Sequence, residues 1–249
     1  MKVKTILVSQ PEPKSDQLSP FSILSEKQKV KVDFRSFIHV EALTVRDVRN
    51  QKIDLSKYSA IILTSRNAVD HFFRIAEEMR YKDPNELKYF CQSEAVAYYL
   101  QKYVVYRKRK IYVGKRHFPE LCEVIKKHKS EKFLLPSSDK LKDAIPEALN
   151  EMGITWKRAD LYRTVTSDLS DLEDVFYDVL VFFSPSGIQS LFKNFPEFKQ
   201  NNTRIAVYGN STVKAATEAG LKVDIAAPSP ESPSMTMAIE KYIKEVNKK

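Results

Sequence analysis

The stretch VLVFFSPSGIQSLF, residues 179–192, runs as an unbroken apolar strand into Ser184-Pro185-Ser186-Gly187, where a helical pattern begins. AIILTSRNAVDHFF, residues 60–73, has the same layout: a β-branched run, then Thr64-Ser65-Arg66-Asn67, then a helix carrying a Phe pair. Ser65 lines up with Ser184, Ala68 with Gly187, Val69 with Ile188 and Phe73 with Phe192. One such junction is ordinary, whereas two in register point to a duplicated arrangement. The likeness extends downstream, because FCQSEAVAYYLQKY (90–103) and VYGNSTVKAATEAG (207–220) are again strand, short polar turn and helix. Ser93-Glu94-Ala95-Val96 lies opposite Gly209-Asn210-Ser211-Thr212.

Apolar runs at 3–8, 60–63, 88–91, 104–106, 133–135, 179–183, 204–208 and 223–227 read as strands. Many are nearly continuous, which fits strands buried on both faces. Helical patterns fall between them at 67–79, 93–101, 118–128, 142–152, 187–195, 211–219 and 233–246. Gly153 and Gly220 follow EALNEM and KAATEA, where left-handed helix caps are expected. This alternation indicates an α/β chain with mainly parallel sheets flanked by helices. Residues 33–43 and 158–168 are extended with no helix attached, and suit connections between two lobes. The tract APSPESPS (227–234) introduces the last helix, with Ser232 as N-cap and Pro233 at its first position.

A chain of 249 residues with 43% apolar content suits one large or two modest domains. Its opening apolar core, Ile6-Leu7-Val8, is too short for a signal peptide, and no segment approaches the ~20 apolar residues of a membrane span. Cys91 and Cys122 form no disulfide framework, so a reducing cytoplasm is expected. The five glycines stand at least eleven residues apart, which excludes both G-x-G-x-x-G and the P-loop. His39, His71, His117 and His128 lack metal-ligand spacing, and no G-x-S-x-G elbow is present. A net charge of +9 favours an anionic partner.

A helix start carries unpaired N–H groups and about half a positive charge, so it attracts carboxylates and phosphates. Hydroxyls there add further donors. Candidate substrate-binding residues are therefore Thr64, Ser65, Ser93, Ser137, Ser184, Ser186, Gly187, Gly209, Asn210, Ser211 and Thr212. Taken singly, Ser65, Ser184 and Ser211 also read as plain N-caps worth ~1 kcal/mol each. In the SPSG turn, the glycine and hydroxyls are expected to expose backbone amides toward the anion. Tyr162, in LYRT of a connecting segment, can donate a proton while staying neutral near pH 7, or simply pack. The basic run Tyr106 to Lys110, with Lys115 and Arg116, reads either as a nucleic-acid contact or as a solvated edge-strand face.

Together these residues resemble the uroporphyrinogen-III synthase family. The motifs that carry the likeness are LTSRNAV (63–69), LYRT (161–164), VFFSPSGI (181–188), VYGNSTVKAATEAGL (207–221) and APSPESPSMTMAI (227–239). They span nearly the whole chain in order, and FFSPSG and G-x-x-T are the most specific. The resemblance implies two α/β lobes, the second inserted into the first and joined by a two-stranded β-ladder. Mapped here, lobe one is 1–34 plus 171–249, lobe two is 56–159, and 35–55 and 160–170 are the connections. Two lobes so joined are expected to hinge.

The implied substrate is hydroxymethylbilane, a linear tetrapyrrole bearing acetates and propionates. Loss of its terminal hydroxyl gives an azafulvene, the chain closes onto ring D through a spiro intermediate, and ring D emerges inverted. The reaction implied is that of a lyase needing no cofactor and no metal. The resemblance casts Tyr162 as the catalytic group assisting hydroxyl departure, and Thr212, Ser184 and Ser65 as polar substrate contacts. Two positions depart from the family pattern: Val96 stands where a hydroxyl is usual, and Gln10 where Arg is frequent. A monomer is implied, without nucleic acid or membrane, and a transient contact with the preceding pathway enzyme is left open. The rival readings are a catalytically silent two-lobed protein binding an anionic small molecule, and a basic nucleic-acid-binding module.

Overall fold

The computed structural model describes residues 2–13, 19–115 and 117–247. The chain opens with β1 (Thr5–Val8), α1 (Pro20–Gln28), β2 (Lys31–Phe34), β3 (Ile38–Ala42) and α2 (Val45–Asn50). There follow β4 (Ala60–Leu63), α3 (Arg66–Glu78), β5 (Lys88–Cys91), α4 (Glu94–Leu100), β6 (Ile111–Val113) and α5 (Phe118–Ile125). Next come β7 (Lys132–Ser138), α6 (Ala144–Glu151) and β8 (Thr155–Thr166). The chain closes with β9 (Val179–Phe182), α7 (Pro185–Asn194), β10 (Arg204–Tyr208), α8 (Asn210–Glu218), β11 (Val223–Ala227) and α9 (Met235–Asn247). Contacts divide it into two compact units, one of Met1–His39 with Val165–Lys249 and one of Val40–Thr164.

In the first unit a five-stranded sheet has the order β11-β10-β9-β1-β2, with every neighbouring pair parallel. Alternation along its central strands feeds two cores. Ile6, Val8, Val179 and Val181 enter one, while Leu7, Leu180 and Phe182 enter the other. Strands covered by helices on both sides must be apolar at every position, which is why these runs look continuous in sequence. Buried Asp178, just before β9, accepts hydrogen bonds from the N–H groups of Lys4 and Thr5 at 2.8 and 3.0 Å, and so ties the start of β1 to β9.

The second unit holds a six-stranded sheet of order β3-β8-β7-β4-β5-β6. The β7–β8, β4–β7, β4–β5 and β5–β6 pairs are parallel. Ile61 and Leu63 point into one core, Ala60 and Ile62 into the other. At the edge of the sheet, the Leu43 N–H donates to Leu161 O at 2.9 Å, next to the β3–β8 pair.

The departures from sequence expectation have local causes. Residues 104–106 form no strand: Val104 is buried while Val105 and Tyr106 are exposed, and the edge strand is instead β6. β8 escapes a period-two reading because the register against β7 shifts between Ser137 and Ser138. That bulge leaves consecutive Leu161 and Tyr162 both buried. Tyr162 therefore belongs to a core strand and not to an open connection. Helix α2 buries only Val48 and is closed by a Thr44–Asp47 capping box, so its apolar signal is slight. Helix α9 begins at Met235, not at Pro233, because the Met237 N–H donates to the Ser234 hydroxyl; Ser232 is buried in the preceding turn with Ser229. Gly153 and Gly220 take φ of +63° and +79°, the left-handed caps expected of them.

Replacing Asp178 with Ala removes the acceptor of two inner N–H groups and is expected to cost roughly 1–3 kcal/mol. Urea unfolding of the full chain checks this against exposed Asp174→Ala, expected to stay within about 0.5 kcal/mol. Equal midpoints for the two variants would contradict the tie.

Candidate functional site

In an open parallel sheet, ligands bind at the carboxyl ends of strands where strand order reverses. In the first unit that reversal lies between β1 and β9, and in the second between β4 and β7. Ser184 follows β9, and Ser65 and Ser137 stand at the carboxyl ends of β4 and β7. The duplicated junctions of the sequence thus fall at equivalent places in two separate sheets.

In the first unit, Ser184 is extended (φ −154°, ψ 153°) and its Oγ accepts the Gly187 N–H at 3.3 Å. The same N–H also lies 3.1 Å from Ser184 O. Gly187 therefore spends its amide on the cap and is not one of the free amides expected there. What the glycine supplies is space. A Cβ at this position would lie 3.3 Å from Phe182 Cδ1 and 3.6 Å from Ser9 Oγ, at the point where β1 and β9 end together. Pro185 has no N–H to offer. Ser186 is half-buried and its side chain bonds to nothing among the described residues.

One strand further out, Gly209 has φ +85° and donates its N–H to Ala227 O at 2.7 Å. This is backbone that favours glycine. The turn launches α8 with Asn210 and Ser211 exposed and Thr212 buried. Thr212 is only 1% exposed, and its Oγ1 is buried with no hydrogen-bond partner. A buried hydroxyl left unpaired costs about 1–3 kcal/mol, so it calls for an explanation.

In the second unit, Ser65 Oγ accepts the Ala68 N–H at 3.1 Å, capping α3, and stands 3.4 Å from the Tyr162 hydroxyl. Ser65 keeps its own hydrogen after accepting from the backbone, so it can donate to the Tyr162 oxygen while the phenol proton turns to another acceptor, and either hydroxyl can be the donor of this contact. Burial pushes the Tyr162 pKa above its ordinary 10.0, with the Ser65 contact opposing. The phenol ring stacks on His71, with centroids 4.7 Å apart and planes inclined by 18°. Burial, aided by the Arg74 charge and opposed by Asp70, lowers the His71 pKa and keeps the imidazole neutral.

Ser137 is occupied: its Oγ donates to Asp160 at 2.9 Å and receives Arg158 Nε at 3.1 Å. Ser93 starts α4 without capping it, so its half-buried hydroxyl is uncommitted, as is that of Thr64, among the described residues. Val96, the departure from the family pattern, is core at 6% exposure. Of the basic run, Lys110 lies 2.8 Å from Glu86 and Arg107 3.9 Å from it, while Arg116 lies outside the described residues. Among the described residues, no group of three or more His, Cys, Asp or Glu is placed to hold a metal ion. No helix there is long and apolar enough to cross a membrane.

The structure thus brings Tyr162 and Ser65 together and groups Gly209 to Thr212 at one helix start, while Ser137 is locked elsewhere. Sequence reasoning missed Ser9 and His71. The signal for His71 was its place on the Ala68, His71, Ile75 row of α3, two of whose members are buried.

Comparison with known proteins bears on the fold and the family. No curated protein sequence matches the chain. The crystal structure of uroporphyrinogen-III synthetase from Helicobacter pylori is similar, with 18% identity, TM-score 0.64, and 98% of this chain and 100% of that one covered. A mutant uroporphyrinogen III synthase from the extremely thermophilic bacterium Thermus thermophilus has 14% identity and TM-score 0.58, with 99% of this chain and 100% of that one covered. At these identities the likeness establishes the α/β fold. The profile described as Uroporphyrinogen-III synthase HemD matches residues 20–237, most of the sequence. The chain belongs to the uroporphyrinogen-III synthase family.

Proposed function

We propose that this protein cyclises hydroxymethylbilane to uroporphyrinogen III with loss of water and inversion of ring D, acting as a cofactor-free hydro-lyase. The family match supports the reaction. The observation that carries the site is the buried, unpartnered hydroxyl of Thr212 at the start of α8. A substrate carboxylate is the acceptor that explains it, since an oxyanion bound there meets both the hydroxyl and the positive end of the helix. Among the described residues Asn210, Ser211 and Ser186 in the first unit, and Thr64 and Ser93 in the second, are uncommitted donors suited to carboxylates. Ser65, Ser184, Gly187 and Gly209 shape the junctions, and Ser137 stabilises its own sheet.

Tyr162 assists the first step. Its hydroxyl donates toward the departing oxygen, which leaves as water as the azafulvene forms. The ring-D carbon then attacks, the spiro intermediate reopens and closes in the inverted sense, and the carbon that completes the macrocycle releases a proton. Atoms balance as substrate to product plus one water. On this reading the enzyme works as a monomer in the cytoplasm and meets the preceding pathway enzyme only in passing.

Thr212→Val separates a binding role from a folding one. Loss of a hydroxyl that bonds only substrate is expected to raise KM by an amount equivalent to roughly 1–3 kcal/mol while leaving folding stability unchanged or higher. Initial rates and thermal unfolding on one preparation give both numbers. A destabilised variant with normal KM would show that the hydroxyl bonds within the protein.

Tyr162→Phe is expected to lower kcat by about 10²-fold at most, the lower range for a general acid, with KM nearly unchanged. Raising the phenol pKa extends its protonated range upward, so Tyr162 stays a donor through neutral and mildly alkaline pH. The ratio of wild-type to Tyr162→Phe kcat should therefore stay flat from about pH 7 to about pH 9. A ratio that collapses within that range would assign the proton to another group.

A further inference from the structure

We propose that His71 is a positioning residue for Tyr162, its imidazole plane fixing the direction in which the phenol hydroxyl points. This deepens the reading above and rests on Tyr162 assisting hydroxyl departure. The only hydrogen-bond partner of the Tyr162 hydroxyl among the described residues is Ser65 Oγ at 3.4 Å. That is long for an O–H···O bond and orients the ring weakly. Rotation of a tyrosine ring about its Cβ–Cγ bond is also soft; the oxygen lies on that axis, but the turn swings the ring plane in which the O–H bond prefers to lie. A flat ring 4.7 Å away and within 18° of parallel removes that freedom, because turning the phenol would drive its edge into the imidazole.

The imidazole is itself held in place. His71 lies on α3, the helix that Ser65 caps, so one rigid element supplies both the hydrogen-bond partner and the stacking face. Arg74, one turn further on, donates through Nη2 to Leu43 O at 2.7 Å and lies 3.4 Å from Leu161 O. Ser65, His71 and Arg74 thus grip the backbone and side chain of residues 161–162 from a single helix. What the position uses of His71 is its flat ring and not its nitrogens. Its Nδ1 is buried without a partner, a cost that a hydrocarbon ring of similar shape would avoid.

Five variants at His71 and Tyr162 test this with kcat, KM and thermal unfolding measured on each. His71→Leu keeps the volume but removes the flat face. It is expected to fold and to lose kcat by roughly tenfold, below the ~10²-fold that misplacement of a reacting group can cost, with KM unchanged. His71→Phe restores the plane, so kcat returns to within about threefold of wild type and the melting temperature does not fall, since the orphan nitrogen is gone. In a Tyr162→Phe background, His71→Leu produces no further loss of kcat, because the hydroxyl it directs is absent.

Full kcat in His71→Leu, failure of His71→Phe to restore it, or an undiminished loss in the Tyr162→Phe background would each overturn the positioning role. Full activity of Tyr162→Phe by itself would instead remove the reading of Tyr162 on which the role depends. If His71→Leu unfolds, the comparison of His71→Phe with His71→Asn decides: the planar ring must keep kcat and the small amide must lose it.

Discussion

Strands buried on both faces must hand the chain to a helix at each carboxyl end, and the direction of each handover fixes where a crevice opens. In the first unit, β1 leads outward to β2, whereas β9 leads the other way to β10 and β11. In the second, β4 leads to β5 and β6, while β7 leads back to β8. At each reversal, two crossovers diverge and leave the strand ends uncovered. Ser184 and Ser65 stand at those two reversals, and the Gly209 turn lies one strand further out. The apolar strands fix the positions, and the short polar turns set hydroxyls at the strand ends.

The hydroxyls at these turns do two different jobs, which explains why so many occur together. Ser65 and Ser184 complete helix starts and are used up by the backbone, each accepting an N–H three residues on. Thr212, by contrast, sits where helix geometry gives its side chain nothing to bond, although it is almost wholly buried. Keeping both kinds at a helix start has a physical logic. Ser184 holds the first turn of α7 beside uncommitted Ser186, whereas α8 begins at Gly209 without a side-chain cap and sets Thr212 at the positive end of the helix. An overall charge of +9 adds a field that draws in a polycarboxylate.

Much of this was legible in the sequence because the relevant signals are local. Continuous β-branched runs ending in Ser-rich turns gave the parallel strands, the matching of Ser65 with Ser184, and the fold class. Burial and partnership are not local, and there the reading ran out. Gly187 looked like an anion cradle, but its amide closes the Ser184 cap and its missing Cβ makes room for Phe182 and Ser9. Ser137 looked like its fellow serines until Arg158 and Asp160, twenty-one and twenty-three residues away, claimed its hydroxyl. Tyr162 resembled a residue of an open connection because a bulge breaks the alternation that would have marked β8 as a strand. His71 carried only its place on a half-buried row of α3, and the ring distance to Tyr162 shows what it packs against.

The central claim is that these junctions close a linear tetrapyrrole with one ring turned over. Supplying hydroxymethylbilane to the purified protein and resolving the product isomers tests it directly. Left alone, the substrate closes without inversion to the type I isomer. The account predicts type III product, in proportion to the amount of protein added and without any added cofactor. Type I product alone at high protein concentration would contradict it and leave a binding protein with a silent site.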